Sequence, residues 1–340
     1  MTNGDDYLKK HLRLLITVLA LLVITIALSF FNGLNGNEEF EATEPAEIVS
    51  NENENMHLGF GVYTYVSPID AFGIDEGKLQ DGQLLVNTAY ATLIINNDNR
   101  IVYAYLDDVE NSILFNEEGQ IITSKDVEEW PPLKETDEDF NSEIAFIESS
   151  IIGMSQTEVE TYIKGLNQED FASIDINSCL ISIDNAFSNI KGLSSVQDVG
   201  VSTVTKYSLT DASEEANGDI DVITTFALVT TSESGSITGV VFDEVETNAQ
   251  IDINGKVLTS RFDTRTKIEK CIDGQIEEIS SIPAYYLEDI NALEEKMMGL
   301  SLEEAYNLSE DSEFLQSLSI VTDDLFYAFL KASENMIPWY

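Results

Sequence analysis

Four carboxylates recur at one spacing: Asp107 and Glu110, then Asp243 and Glu246, the second pair 136 positions after the first. Paired carboxylates are the groups of two-carboxylate hydrolysis, one acting as acid and the other as base or nucleophile. Here their surroundings recur with them. Asp107-Asp108-Val109-Glu110 and Gly119-Gln120-Ile121-Ile122-Thr123-Ser124-Lys125 return as Asp243-Glu244-Val245-Glu246 and Gly255-Lys256-Val257-Leu258-Thr259-Ser260-Arg261. The chain is a tandem duplication. A single catalytic dyad has no need of a second copy. The acidic pairs are therefore expected to cap strand ends, shape turns or pair with Lys125 and Arg261. No catalytic residue is assigned.

Other chemistry finds little material. The chain holds 2 histidines, His11 and His57. A Ser-His-Asp or Cys-His arrangement would have to use His57, and a His/Cys zinc site fails for the same shortage. Cys179 and Cys271 do not occupy equivalent positions in the two copies. Two free thiols are expected, with a disulfide between copies as the alternative. Thr123-Ser124 and Thr259-Ser260 follow a glycine turn and read as ordinary strand residues. Trp130 and Trp339 are too few for a carbohydrate platform. Tyr63, Tyr65, Tyr90, Tyr103 and Tyr105 read as cross-strand packing.

The formal net charge is −45 over 340 residues. Such a surface repels phosphate backbones and anionic headgroups, which argues against nucleic acid as a partner. No D-x-[DN]-x-[DN]-G loop supports an EF-hand calcium site. Near the N-terminus, Leu14 to Phe31 carry no charge. At a rise of about 1.5 Å each, a run of this length approaches the hydrocarbon thickness of a bilayer. Lys9, Lys10 and Arg13 precede it, and no Lys or Arg follows until Lys78. The run ends in Ser29-Phe30-Phe31-Asn32, a poor cleavage site. The expectation is a cytoplasmic tail at 1–13, a single-pass signal anchor at 14–32, and the bulk of the chain outside the cell membrane. Residues 33–57 are polar and acidic and read as a flexible stalk.

Two α+β repeats follow, at 58–193 and 198–337. Copy one opens at Gly59-Phe60-Gly61-Val62-Tyr63-Thr64 and reaches Asp70-Ala71; copy two opens at Gly200 and reaches Asp211-Ala212. Leu84 to Ile95 and Ile220 to Thr231 are β-branched and aromatic, so they read as strands. Asn97-Asp98-Asn99 and Glu233-Ser234-Gly235 turn them into hairpins with Ile101 to Leu106 and Ile237 to Phe242. Asn254-Gly255 and Glu118-Gly119 predict a second, shorter hairpin in each copy. Ile144, Ile147 and Ile151, like Ile290, Leu293 and Met297, form one apolar helical stripe. Gly153 and Gly299 end these helices, and Ser155 to Glu158 and Ser301 to Glu304 are capping boxes that start the next. Leu318 to Thr322 reads as a short strand before a terminal helix. Cys179 to Asp184 and Asn185 to Ile190 read as a weaker version, and 191–197 as the linker.

These motifs carry a resemblance. The opening glycines with Asp70-Ala71, the turns Gly119-Gln120-Ile121 and Gly255-Lys256-Val257, and Met297-Met298-Gly299-Leu300-Ser301-Leu302-Glu303-Glu304 resemble a group of membrane- or lipid-anchored extracytoplasmic proteins of Gram-positive bacteria. The resemblance spans most of residues 58 to 335. Its motifs are structural and say almost nothing about activity. Ala227 to Thr247 is also distantly similar to the sheet of FMN-binding domains of flavin-based electron transfer. Members that hold flavin covalently carry an S-G-A-T-type motif, and this chain has none, so that resemblance implies noncovalent FMN at most.

The expected protein is α+β: two tandem domains, each a small antiparallel sheet with packed helices, behind an N-terminal transmembrane helix. The expected function is non-catalytic binding of a ligand or partner at the cell surface, without cofactor or metal. The alternatives are a noncovalent FMN or redox module and a carboxylate-based hydrolase.

Overall fold

Apolar, β-branched runs build three long strands in each copy. In copy one these are β1 (Met56–Ile69), β4 (Gly82–Ile95) and β5 (Ile101–Phe115), with β2 (Ile74–Asp75) and β3 (Lys78–Leu79) as a small ribbon between the first two. A computed structural model of the chain describes residues 56–71, 74–75, 78–123, 132–272 and 285–339. The expected tail, anchor at 14–32 and stalk to residue 55 lie outside the described residues, as do Ser124, Lys125 and Trp130. Among the described residues no helix is long and apolar enough to cross a membrane.

Three helices complete copy one: α1 (Glu138–Ile151), α2 (Gln156–Lys164) and α3 (Ile176–Ser188). A short strand β6 (Ile190–Leu193) then returns to pair with β1. Copy two repeats the plan with β7 (Asp198–Thr210), β8 (Gly218–Thr231), β9 (Ile237–Ile251), α4 (Lys267–Ile272), α5 (Tyr286–Met297), α6 (Leu302–Tyr306), α7 (Ser312–Leu315), α8 (Asp323–Glu334) and β10 (Ile337–Pro338). The result is α+β, with two four-stranded antiparallel sheets ordered β5-β4-β1-β6 and β10-β7-β8-β9. The long hairpins share one irregularity: the register shifts between Ile94 and Ile95, and again between Thr230 and Thr231.

The helices cover one face of each sheet. Ala91, Leu93 and Ile95 pack on Ile144, Ile147, Ile151 and Ile183 in copy one. Ala227 and Val229 pack on Ile290, Leu293, Met297 and Phe329 in copy two. The opposite faces pack on each other. Phe60, Val62, Tyr90 and Ile94 of copy one share a core with Val201, Phe226, Leu228 and Val241 of copy two. A second cross-copy core joins Leu84, Val86, Ile113 and Phe115 to Ile220, Val222, Ala249 and Ile251. The layers run helix, sheet, sheet, helix, and the described residues belong to one compact unit. Both faces of each sheet are covered, which explains why the central strands read as near-continuous apolar runs. The ring of Phe226 lies 5.7 Å from Phe60 and 5.5 Å from Tyr90, centroid to centroid.

The shared motifs acquire physical reasons. A Cβ at Gly61 would overlap the Ser182 carbonyl, so the opening glycines let α3 lie directly on β1. Gly119 and Gly255 have φ of +67° and +65°, the left-handed region that glycine enters freely. Their turns cross the seam. Ala71 N–H donates to Gly255 O at 2.7 Å, and Ala212 N–H donates to Gly119 O at 2.9 Å. Asp70 and Asp211 accept the N–H groups of Val257 and Ile121. Each copy's Asp-Ala pair thus holds the other copy's glycine turn. The helix punctuation is as expected: Gly153 and Gly299 have positive φ, and Ser155–Glu158 and Ser301–Glu304 form capping boxes.

Several elements differ from expectation. β5 and β9 run through the acidic segments, so Asp107 and Asp243 stand inside strands. The second hairpin shrinks to the single bridges Phe115–Ile121 and Ile251–Val257. Cys179 to Asp184 is helix, as part of α3; Ile176, Cys179, Leu180 and Ile183 follow helical spacing, and Asp175 caps the N-terminus by accepting from Asn177 N–H. Leu318 to Thr322 forms no strand. β6 spans Ile190–Leu193, so 191–193 are strand where a linker was expected, and Met56 and His57 belong to β1, paired with β6, where stalk was expected.

Candidate functional site

Asp107 and Asp243 face the layer between the sheets. Asp107 Oδ1 accepts from Asp108 N at 2.8 Å and Lys134 N at 2.9 Å. Asp243 Oδ1 accepts from Glu244 N at 2.8 Å and Ile268 N at 3.2 Å. The recurring aspartate therefore ties the next turn of chain to the sheet. Burial pushes the Asp107 carboxyl up to about 6 and the Asp243 carboxyl up to about 7, although those donors pull the other way. The expected partner Arg261 is not the one that holds Asp243; Lys125 lies outside the described residues.

The copies differ around this shared frame. In copy one the Tyr90 and Tyr105 hydroxyls donate to Asp107 Oδ2 at 3.1 and 3.0 Å. Phe226 and Val241 stand at the matching positions of copy two. On the helix-facing side, Glu148 Oε1 accepts from Leu106 N at 2.7 Å and from Lys134 Nζ at 2.6 Å. Its counterpart Glu294 accepts from Phe242 N and pairs with Lys191, a residue of copy one.

A second difference concerns Asp108 and its counterpart Glu244. Glu244 is buried with three partners: Thr225 Oγ1 at 3.1 Å, Tyr286 Oη at 2.9 Å and Lys267 Nζ at 3.0 Å. Asp108 is as buried, at 7% exposure, and its Oδ1 has no hydrogen-bond partner among the described residues. Asn87, at 6% exposure, hydrogen-bonds the Asp108 carboxylate, while its own Oδ1 is unpartnered among the described residues. Burial, then the neighbouring Asp107 charge, push Asp108 up to about 8.

A groove opens at the seam, with a volume of about 530 Å³. Tyr103, Tyr105 and Lys134 of copy one form one wall; Val201, Lys331 and Met336 of copy two form the other. Lys134 Nζ sits 4.2 Å from the Tyr105 ring centroid, a cation–π contact. Lys331 Nζ donates to Thr203 O at 3.1 Å.

The remaining candidates sort by position. Asp107 and Asp243 are both buried and do not line the seam groove. Both cysteines are free, and burial raises both thiols, which holds them neutral. His57 lies in β1. Tyr90, Tyr103 and Tyr105 pack in or against the seam core. Thr123 and Thr259 brace their turns by accepting from Leu114 N and Gln250 N. Trp339 donates to Val196 O at 2.8 Å. Among the described residues, no three His, Cys, Asp or Glu side chains converge as a metal-ligand set.

Sequence reasoning missed Asp108, Asn87 and the seam groove. The signal for Asp108 was present: the duplication pairs it with a glutamate, while the lysine that partners that glutamate has no counterpart. Comparison with known proteins gives no match to a family model, to a curated protein or to a solved structure.

Proposed function

We propose that this is a membrane-anchored extracytoplasmic protein whose duplicated domains bind a ligand at their seam without turning it over. The observation that carries the reading is the groove between Tyr103, Tyr105 and Lys134 on one side and Val201, Lys331 and Met336 on the other. It has the size and mixed lining of small-ligand sites, with apolar and aromatic walls and a few charged groups. It also lies where the copies differ: Tyr103 and Tyr105 are replaced by Gly239 and Val241 in copy two. Repeated residues serve folding here, so the unrepeated ones are left for recognition. The Leu14 to Phe31 run and the acidic segment after it support the anchored, exported placement.

The test starts with the full chain purified in detergent and a visible spectrum. A stoichiometric flavin spectrum would replace this reading by the noncovalent FMN alternative. Without one, the protein is screened by thermal shift against amphiphilic small molecules, beside Tyr103→Ala and Met336→Ala. A hit that both substitutions weaken supports the groove. A hit that neither changes, or no hit at all, sinks it.

A further inference from the structure

Copy two carries a cation at a place where the described residues of copy one hold none. In copy two, Glu244 and Glu246 lie two residues apart on the helix-facing side of β9, and Lys267 Nζ approaches them at 3.0 and 3.9 Å. In copy one the same places on β5 hold Asp108 and Glu110. Lys134 N and Ile268 N bond the equivalent aspartates, so the place of Lys267 falls to Leu133. Among the described residues no ammonium or guanidinium pairs with Asp108 or Glu110.

The surroundings of Asp108 are acidic. Asp107 and Glu110 flank it on β5, and Asp175 caps α3, whose Cys179 senses both Asp108 and Asp175. Tyr65, on β1, faces the charges of Asp108, Asp175 and Glu110. Lys134, the nearby base, is engaged by Glu148 from α1. Asn87 is the direct cross-strand partner of both Tyr65 and Glu110. Asn87 hydrogen-bonds the Asp108 carboxylate and Tyr65, and Asp108 Oδ1 and Asn87 Oδ1 are left as two buried acceptors without donors among the described residues. A buried acceptor without a partner costs about 1–3 kcal/mol, and more when charged, so a protein rarely keeps two together without a use. Glu110 is exposed and gives the cluster a mouth to solvent.

We propose that copy one binds a hard divalent cation, Ca²⁺ as the reference ion, between Asp108, Glu110 and Asn87, at the position that the Lys267 ammonium fills in copy two. Two carboxylates and an amide oxygen are hard donors of the kind that Ca²⁺ prefers, with water completing its shell. The site is built from one pair of neighbouring strands, so it needs no EF-hand loop. The inference is independent of the seam groove.

The test uses the full chain in detergent, stripped with a chelator, at pH 8. Enough NaCl is present to screen the diffuse acidic surface. Ca²⁺ is titrated by calorimetry and by thermal shift. Wild type is expected to bind one Ca²⁺ and to gain in Tm. Asp108→Asn and Glu110→Gln each lower that affinity by roughly tenfold or more, because each removes a ligand charge. Glu246→Gln, the copy-two control, leaves it unchanged. Leu133→Lys, which supplies the copy-two ammonium, removes the Ca²⁺ response while keeping the fold. Glu110 is on the surface, so its variant stays informative if the buried ones fold poorly. Weak multi-site binding that the four substitutions leave alike, or no Ca²⁺ effect beyond that of NaCl, overturns the proposal.

Discussion

Asp70 reaches across the seam to Val257, its Oδ1 accepting the backbone N–H at 2.7 Å. The mirror contact runs from Asp211 Oδ1 to Ile121 N–H at 2.8 Å. The Asp-Ala pair and the glycine turn, which look like two unrelated motifs along each copy, are the halves of one lock used twice.

Asp70→Ala and Asp211→Ala should each destabilise the protein by about 1–3 kcal/mol, since each leaves a part-buried amide unpaired. Urea unfolding of the two single variants measures this. Equal stability to wild type in both would show that the locks are incidental.

The seam core gives a larger effect. Phe226 is fully buried against two rings of the other copy, Phe60 and Tyr90. Phe226→Ala should cost about 3–5 kcal/mol. Hydrogen exchange should then rise in β1 and β4 of copy one as well as in β8. Exchange confined to copy two would contradict a shared core.

The shared aspartate should matter more than the hydroxyls added to it in copy one. Asp107→Ala strands two backbone amides and two phenols, and should cost at least about 3 kcal/mol. Tyr105→Phe removes one hydrogen bond of four and should cost about 0.5–1.5 kcal/mol. Chemical denaturation ranks the two, and a reversed order would mean that the phenols carry the site.

Stability should fall as pH rises. Asp107, Asp243 and Asp108 have carboxyls raised from 3.8 to about 6, 7 and 8, with burial the main cause in each. The folded state therefore holds protons that the unfolded chain releases above about pH 4. Each group's contribution is complete below the unfolded value and is lost as pH climbs through the folded one. Each subtracts about 1.4 kcal/mol per pH unit within its window. Asp107 and Asp108 interact, so their two steps belong to the pair. The capping carboxylate Glu158 runs oppositely: its Ser155 hydrogen bonds lower it to about 2, and its contribution is lost only in stronger acid. Urea melts in chelator from pH 5 to pH 9 check this. Asp108→Asn should flatten the upper part of the decline, and a wild type more stable at pH 8 than at pH 5 would refute the account.

Much of the fold was legible because its signals are local. The stripe Ile144, Ile147, Ile151, the glycine stops and the S-x-x-E boxes each need only a few neighbouring residues to take effect. The strand around Asp107 was misread for the opposite reason. An acidic run looks like a strand end until the amides that bind it are known, and Lys134 N is 27 residues away. Cys179 to Asp184 was misread because a short apolar run carries both periods, and the cap at Asp175 decides between them.

The sequence alone determined the duplication, the α+β elements and their order, because composition and spacing act along the chain. Only the tertiary structure decided that the two sheets face each other, that each copy's aspartate grips the other's turn, and that Lys267 neutralises Glu244 while no described Lys or Arg pairs with Asp108. Those outcomes depend on which distant groups share a buried, weakly polarisable space. There an unpaired charge is costly, and nothing in local spacing records who its neighbour will be.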